Sequence, residues 1–281
     1  MSNWFIAIIN FVLYSHIFIA ACALALTLQT LHIQDIDYRT SPALLGLVFF
    51  STLVIYALHR LVSLHKVDKS LQIDRFLVIG QYRQHIQLYA LLGSVGLVSC
   101  FFYLQSATQI ALVAPALLSL GYVLPFLGKR RLRLRDLHFI KIFLIAIVWS
   151  YVTVLLPLIE HQQAVEMQTI GMLIERSIFI FVITLPFDLR DWKIDQHNQV
   201  HTIPAYIGVS KTVRLAFLLL IIWLVFCLAI YPLSLVLPLA ITGLIVAYLL
   251  WLSPKQKHDY FFTGLVDGTM LLQAFLVWLL A

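Results

Sequence analysis

The chain has 281 residues, 62% of them hydrophobic and 11% charged, and a mean hydropathy of +0.94. A soluble domain carries about 25% charged residues, so a water-soluble globule is excluded for want of polar surface, and disorder is excluded by the same apolar content. The 19 Lys and Arg outnumber the 13 Asp and Glu; in a lipid-embedded chain that excess belongs to cytoplasmic loops, and no nucleic-acid partner is implied.

A membrane helix needs about 20 mostly apolar residues. Nine stretches qualify: 4–27, 42–64, 86–104, 107–127, 137–157, 169–187, 212–231, 232–252 and 261–281. The runs are continuous, which fits helices and not the alternating short strands of a barrel. The expected fold is therefore all-α, a polytopic bundle of nine transmembrane helices forming one domain over 1–281. The first stretch is read as a span and not a signal peptide, because Met1-Ser2-Asn3 carries no positive charge. The sixth contains Glu175 and Arg176, and the break between the seventh and eighth rests on Tyr231-Pro232. Cys22, Cys100 and Cys227 all fall in apolar runs and read as small core residues.

Loop charges set the orientation. Loop 65–85 holds Lys66, Lys69, Arg75 and Arg83, and loop 128–136 holds Lys129, Arg130, Arg131, Arg133 and Arg135. Loop 188–211 holds Arg190, Lys193 and Lys211, and loop 253–260 holds Lys255 and Lys257. The intervening loops hold only Arg39. The positive-inside rule puts the N-terminus and the basic loops in the cytoplasm and the C-terminus outside a cell (inner) membrane. The second and sixth loops are the long ones, and long polar loops on one face are where function concentrates.

Polar residues along the spans come next. At the end of the second stretch, His59 and Ser63 lie one helical turn apart and can line one pocket. Arg60 beside them suits phosphate oxygens, or it snorkels to the interface with His59. A transition-metal site from His59, His65 and Asp68 is disfavoured, since positions 59 and 65 do not share a helical face. Arg131, Arg133 and Arg135 read as a lipid-facing anchor. Lys141 and Asp267 are ionisable residues inside spans near the cytoplasmic end, which marks a functional interior. Lys141 can bind an anion, Asp267 can orient a substrate, or the two can pair structurally. Glu175 and Arg176 lie nearer the outer face and are expected to make separate structural contacts, because adjacent helical residues point apart.

The densest cluster is Asp188-Leu189-Arg190-Asp191-Trp192-Lys193-Ile194-Asp195. The spacing of Asp188, Asp191 and Asp195 puts all three carboxylates on one face if the sixth helix continues past Phe187. Like charges on one face call for a cation, and hard oxygen ligands suit Mg²⁺. Arg190 and Lys193 lie off that face and are expected to neutralise it only partly. A solvated helix end of mixed charge is the alternative.

This cluster, followed by Thr202-Ile203-Pro204 and Gly208, resembles the second aspartate motif of the UbiA superfamily of intramembrane prenyltransferases. The layout is similar too, with nine helices and enlarged cytoplasmic loops after helices two and six. Gly121-Tyr122 through Pro125, Lys129 and Arg130 is similar to the family's Tyr…Lys-Arg segment, and Arg75 to Gly80 to its Arg-Pro-Leu-x-x-Gly segment, with Phe76 at the proline. The resemblance implies transfer of an isoprenyl chain from a prenyl diphosphate to an acceptor, often aromatic. It implies Mg²⁺ on Asp188, Asp191 and Asp195, diphosphate contacts from Lys129, Arg130, Lys141, Arg75 and Arg60, and a substrate pocket including His59, Ser63, Tyr122 and Asp267. The first aspartate motif departs from the pattern. With His59 at the motif's asparagine, Arg60, Ser63 and Val67 stand where aspartates belong, and Asp68 is one position out of register. Two other readings therefore stay open: a divergent member that binds a polyprenyl lipid without transferring it, and an unrelated transporter, which would more often carry internal repeats.

Overall fold

Apolar runs of this length have no water to pair their backbone groups, so each closes its own hydrogen bonds as a helix. The computed structural model describes residues 3–64, 83–126, 132–197 and 200–281. In chain order the helices are α1 (Asn3–Tyr14), α2 (Ile17–Ile33), α3 (Pro42–Leu64), α4 (Arg83–Phe101), α5 (Ser106–Ala111), α6 (Val113–Val123), α7 (Ile140–Ser150), α8 (Leu156–Glu160), α9 (Met167–His197), α10 (Ile203–Ile207), α11 (Val209–Ile230), α12 (Leu233–Leu252) and α13 (Asp267–Leu280). A π-helical turn, Tyr151–Leu155, joins α7 to α8, and another, Tyr260–Val266, leads into α13.

Seven helices among the described residues are long and apolar enough to cross a membrane, or eight when a bent N-terminal pair counts as one span. The expected total of nine is reduced because α4 begins with Arg83, Gln84, His85 and Gln87. It is helical where the third span was expected, but less apolar than the others. The first expected span is not one helix. It breaks at Ser15-His16, its two arms meet at 62°, and His16 takes the left-handed φ of 68°. The break at Tyr231-Pro232 is found as expected, because Pro232 has no N–H for the helix ending at Ile230.

Packing closes the helices into a ring. α2 packs on α3, α3 on α4 and α6, α6 on α7, α7 on α9, and α9 on α11. α11, α12 and α13 follow in sequence, and α13 returns to α2. The α3–α4 contact is close because a Cβ on Gly96 would lie 2.6 Å from Phe50 and one on Gly46 2.7 Å from Cys100. The main core gathers Leu26, Ile142, Phe179, Trp223 and Phe262. Large apolar side chains such as Leu91, Val95, Ile221, Val225 and Leu244 face outward, as lipid requires. The three cysteines are free.

Helix α9 is the axis of the site. Its 31 residues extend about 46 Å at 1.5 Å per residue, against a hydrocarbon core of about 30 Å. It is longer than that core is thick, and the aspartates lie towards its C-terminal end.

Candidate active site

Because α9 continues to His197, Asp188, Asp191 and Asp195 all lie on helix, as the spacing requires. Their charge is met by protein cations. Lys141, in the first turn of α7, sits 2.7 Å from Asp188 and 3.4 Å from Asp195. The start of α7 is held there by the Phe139 N–H, which donates to the His201 carbonyl at 3.0 Å. Burial pushes the Asp195 carboxyl up in pKa, and Lys141 opposes that shift. Asp191 accepts two bonds from Arg190, Nε to Oδ1 at 2.9 Å and Nη2 to Oδ2 at 3.0 Å. Arg190 also donates to Asp259 at 2.8 Å, and its guanidinium lies over Phe187 and Phe262.

Arg190 meets Asp191 alone of the three aspartates, in bidentate fashion, which is the partial neutralisation expected. One expectation is corrected here: Lys141 pairs with Asp188 and Asp195, not with Asp267. Asp267 instead lies in the electrostatic reach of Arg190 and Arg60.

A second basic group faces this one. Arg135 contacts the His59 ring and lies over the Tyr122 ring at 5.2 Å. Arg133 pairs with Asp136 at 2.8 Å. Both arginines line the internal cavity, which corrects their expected role as a lipid anchor.

That cavity has a volume of about 1430 Å³, larger than the few hundred to 1,000 Å³ of ordinary ligand pockets. Asp191, Asp195, His59, Arg60, Tyr122, Lys141 and Asp267 all line it. Asp188 does not. It is buried behind Lys141 and holds that ammonium toward the cavity. Arg75, Lys129, Arg130, Arg131, His65, Asp68 and the side chain of Ser63 lie outside the described residues. Beyond the charged end, the walls are apolar and aromatic, including Tyr56, Phe101, Trp149 and Phe187. Val98, Phe102 and Val113 line the cavity and are more than half exposed, so the chamber is open on the side of α4 and α6.

Among the described residues, no three His, Cys, Asp or Glu side chains converge to hold a metal ion. Two carboxylates of α9, Asp191 and Asp195, do face the cavity. At the position of the first motif, α3 presents His59 and Arg60.

Reasoning from sequence missed His16. It lines the same cavity and is 4% exposed, with backbone hydrogen-bond partners for its ring at Tyr14 and Ser15. A lone imidazole inside an apolar run was the available sign.

The second charged group on α9 is different. Trp223 donates to Glu175 at 2.7 Å. Arg176 donates to the Leu26 carbonyl at 3.2 Å, to Thr153 at 3.3 Å and to Gln29 at 3.2 Å. Its Nε comes only within 3.9 Å of Glu175. Separate structural contacts were expected; each residue has partners of its own, but the two also form a buried ion pair with each other.

No protein-family model matches the sequence, and no curated protein matches it. Solved structures do match in fold. A UbiA homolog from Aeropyrum pernix K1 aligns over 96% of this chain and 98% of its own, at TM-score 0.64 and 12% identity. A UbiA homolog from Archaeoglobus fulgidus bound to GPP and Mg²⁺ aligns over 94% of this chain and 99% of its own, at TM-score 0.59 and 8% identity. A digeranylgeranylglyceryl phosphate synthase aligns over 96% and 97%, at TM-score 0.56 and 15% identity. The chain has the UbiA fold along nearly its whole length.

Proposed function

We propose that this UbiA-fold chain is a member of that superfamily and an intramembrane prenyltransferase. It takes an isoprenyl chain from a prenyl diphosphate and transfers it to a lipid-soluble, often aromatic acceptor. One observation carries the reading. A large, mostly apolar chamber has a set of cations in its lining: Arg60, Arg133, Arg135, Lys141 and Arg190. That polarity matches a molecule with an anionic head and a hydrocarbon tail.

The residues divide the work. Lys141, held forward by Asp188, and Arg60 meet the diphosphate, with Arg135 behind them. Arg75, Lys129 and Arg130 are proposed to join from the same basic end. As the C–O bond at the allylic carbon breaks, negative charge grows on the diphosphate, and preorganised cations stabilise it. The positive charge left on the chain is stabilised by the aromatic faces of Tyr56, Trp149 and Phe187. His59, Ser63, Tyr122 and Asp267 shape the pocket around the reacting end. Asp191 and Asp195 are the cavity carboxylates that would hold a Mg²⁺ ion, which takes one or two carboxylates plus substrate phosphates; Asp191 would first have to exchange Arg190 for the ion. When bound, that ion would supply further neutralisation of the leaving group. The first-motif position offers a cation, Arg60, in place of a second set of carboxylates. The basic loops put this end of the bundle in the cytoplasm.

The test uses purified protein in lipid nanodiscs, labelled geranyl diphosphate, Mg²⁺ and a panel of phenols and alcohols, with Asp191→Ala as control. The expected result is a labelled lipid-soluble product that requires Asp191. Binding of geranyl diphosphate with no product on any acceptor supports the non-transferring lipid binder, a reading favoured by the full engagement of Asp191 with Arg190. Absence of binding overturns both.

A further inference from the structure

We propose that the chamber is built for a chain of four isoprene units, laid extended between two cations and a closed apolar floor. The proposal rests on reading the cavity as a prenyl diphosphate site, and it assigns the length of the donor's tail.

Two walls of the cavity measure it. On α3 the lining runs from Arg60 back to Leu47, a rise of about 20 Å. On α7 and the π-helical turn after it, the lining runs from Lys141 on to Thr153, a rise of about 18 Å. Each wall starts at a cation assigned to the diphosphate. The walls face each other, since Tyr56 on α3 packs edge-on against Trp149 on α7 at 6.5 Å. They also finish at the same place. Leu47 belongs to a buried apolar cluster with Ala23, Leu44 and Leu156, and Trp149 and Val152 pack against that cluster. Ala23 and Leu47 line the cavity, whereas Leu44 and Leu156 are fully buried and do not. This cluster is the floor.

Between Tyr56 and the floor, the polar side chains of these two walls turn their hydroxyls to their own helices. Ser51 and Thr52 donate to the Val48 carbonyl at 3.2 Å and 2.8 Å, and Thr153 donates to the Trp149 carbonyl at 2.7 Å. The hydroxyls are thereby satisfied within the protein, so this stretch calls for no polar group on a ligand. It suits hydrocarbon. An extended isoprene unit advances about 5 Å, four carbon–carbon bonds of about 1.5 Å in zigzag. A wall of about 18–20 Å therefore spans about four units. A two-unit chain reaches only halfway to the floor.

The experiment measures binding of prenyl diphosphates with two, three and four isoprene units to the full chain in lipid nanodiscs, without acceptor. Inorganic diphosphate is titrated in parallel. The bilayer holds the free tails alike for every protein, so each ligand is compared between variant and wild type. Ser51→Phe puts a ring into the wall about 14 Å from Arg60, level with the third unit. It should weaken the three- and four-unit ligands about tenfold and the two-unit ligand by less than about twofold. Val152→Phe puts a ring about 16 Å from Lys141, level with the fourth unit. It should weaken the four-unit ligand alone, again about tenfold. Neither should change the affinity for inorganic diphosphate. Thermal unfolding identifies a variant that does not fold, and the other then carries the test. An equal loss at all three lengths, or no loss at four units, overturns the proposal. If the wild type binds the two-unit ligand and inorganic diphosphate, only the assigned length falls; if it binds neither, the prenyl diphosphate reading falls as well.

Discussion

Helix α9 carries two groups of buried charge, separated by about 20 Å of helix between Glu175 and Asp188. At the first, Trp223, Leu26, Thr153 and Gln29 meet the charges from two neighbouring helices and from the π turn. Neither Glu175 nor Arg176 lines the cavity. At the second, Lys141, Asp191, Asp195 and Arg190 are also paired, but all four line the chamber. Burial and pairing are common to both groups. The difference is the empty space beside them, so an ionisable residue within a span marks function only when a cavity adjoins it.

That comparison can be broken from either side, and the largest effect is expected at the closed group. Arg176→Met leaves Glu175 without its cation and Gln29 without a donor, and should lower stability by about 3–5 kcal/mol. Diphosphate affinity of the surviving folded protein should stay within about twofold of wild type. Thermal unfolding and calorimetric titration of the same preparation check both halves. At the open group, Lys141→Met should weaken inorganic diphosphate about a hundredfold, or about 2.7 kcal/mol. This variant also leaves buried Asp188 without its cation, so a stability loss of similar size is expected and the distinction is read from ligand affinity. Equal losses of diphosphate affinity for the two substitutions would erase it. Arg60→Gln should weaken diphosphate about tenfold, or about 1.4 kcal/mol, and flatten its dependence on salt, read from titrations at two ionic strengths. The smallest change is expected for Trp223→Phe, which deletes one hydrogen bond to Glu175. It should cost about 1 kcal/mol and leave ligand binding alone.

The same two groups mark what the sequence reveals. Runs of apolar residues located α3 at 42–64 and the break after Ile230, because hydropathy and proline chemistry act locally. That the three aspartates lie on one continuous helix was legible from the sequence, but that only Asp191 and Asp195 line the chamber was not. Their neutraliser was not, since Lys141 is 54 residues from Asp195 and only tertiary packing brings it there. Arg133 and Arg135 were read as lipid anchors because loop charge and cavity charge look alike in one dimension. The bend at His16 was hidden for a different reason. Neither Gly nor Pro stands at Tyr14-Ser15-His16-Ile17, and the apolar run continues across it. The local feature at the bend is Ser15, whose hydroxyl donates to the Val12 carbonyl and accepts from the Ile17 N–H.

The π-helical turn over Tyr260–Val266 ends immediately before Asp267. Such a turn amounts to one residue more than an α-helix would use over the same rise. Each residue advances a helix by about 100°, so the turn resets the phase of everything after it. Without that extra residue, Asp267 would rotate out of the chamber by roughly a quarter turn, and Met270, Gln273, Ala274 and Val277, all now buried, would rotate with it. The inward aim of Asp267 is thus a property of counting as much as of packing. Shortening the segment by a single residue should disturb the chamber more than most substitutions within it.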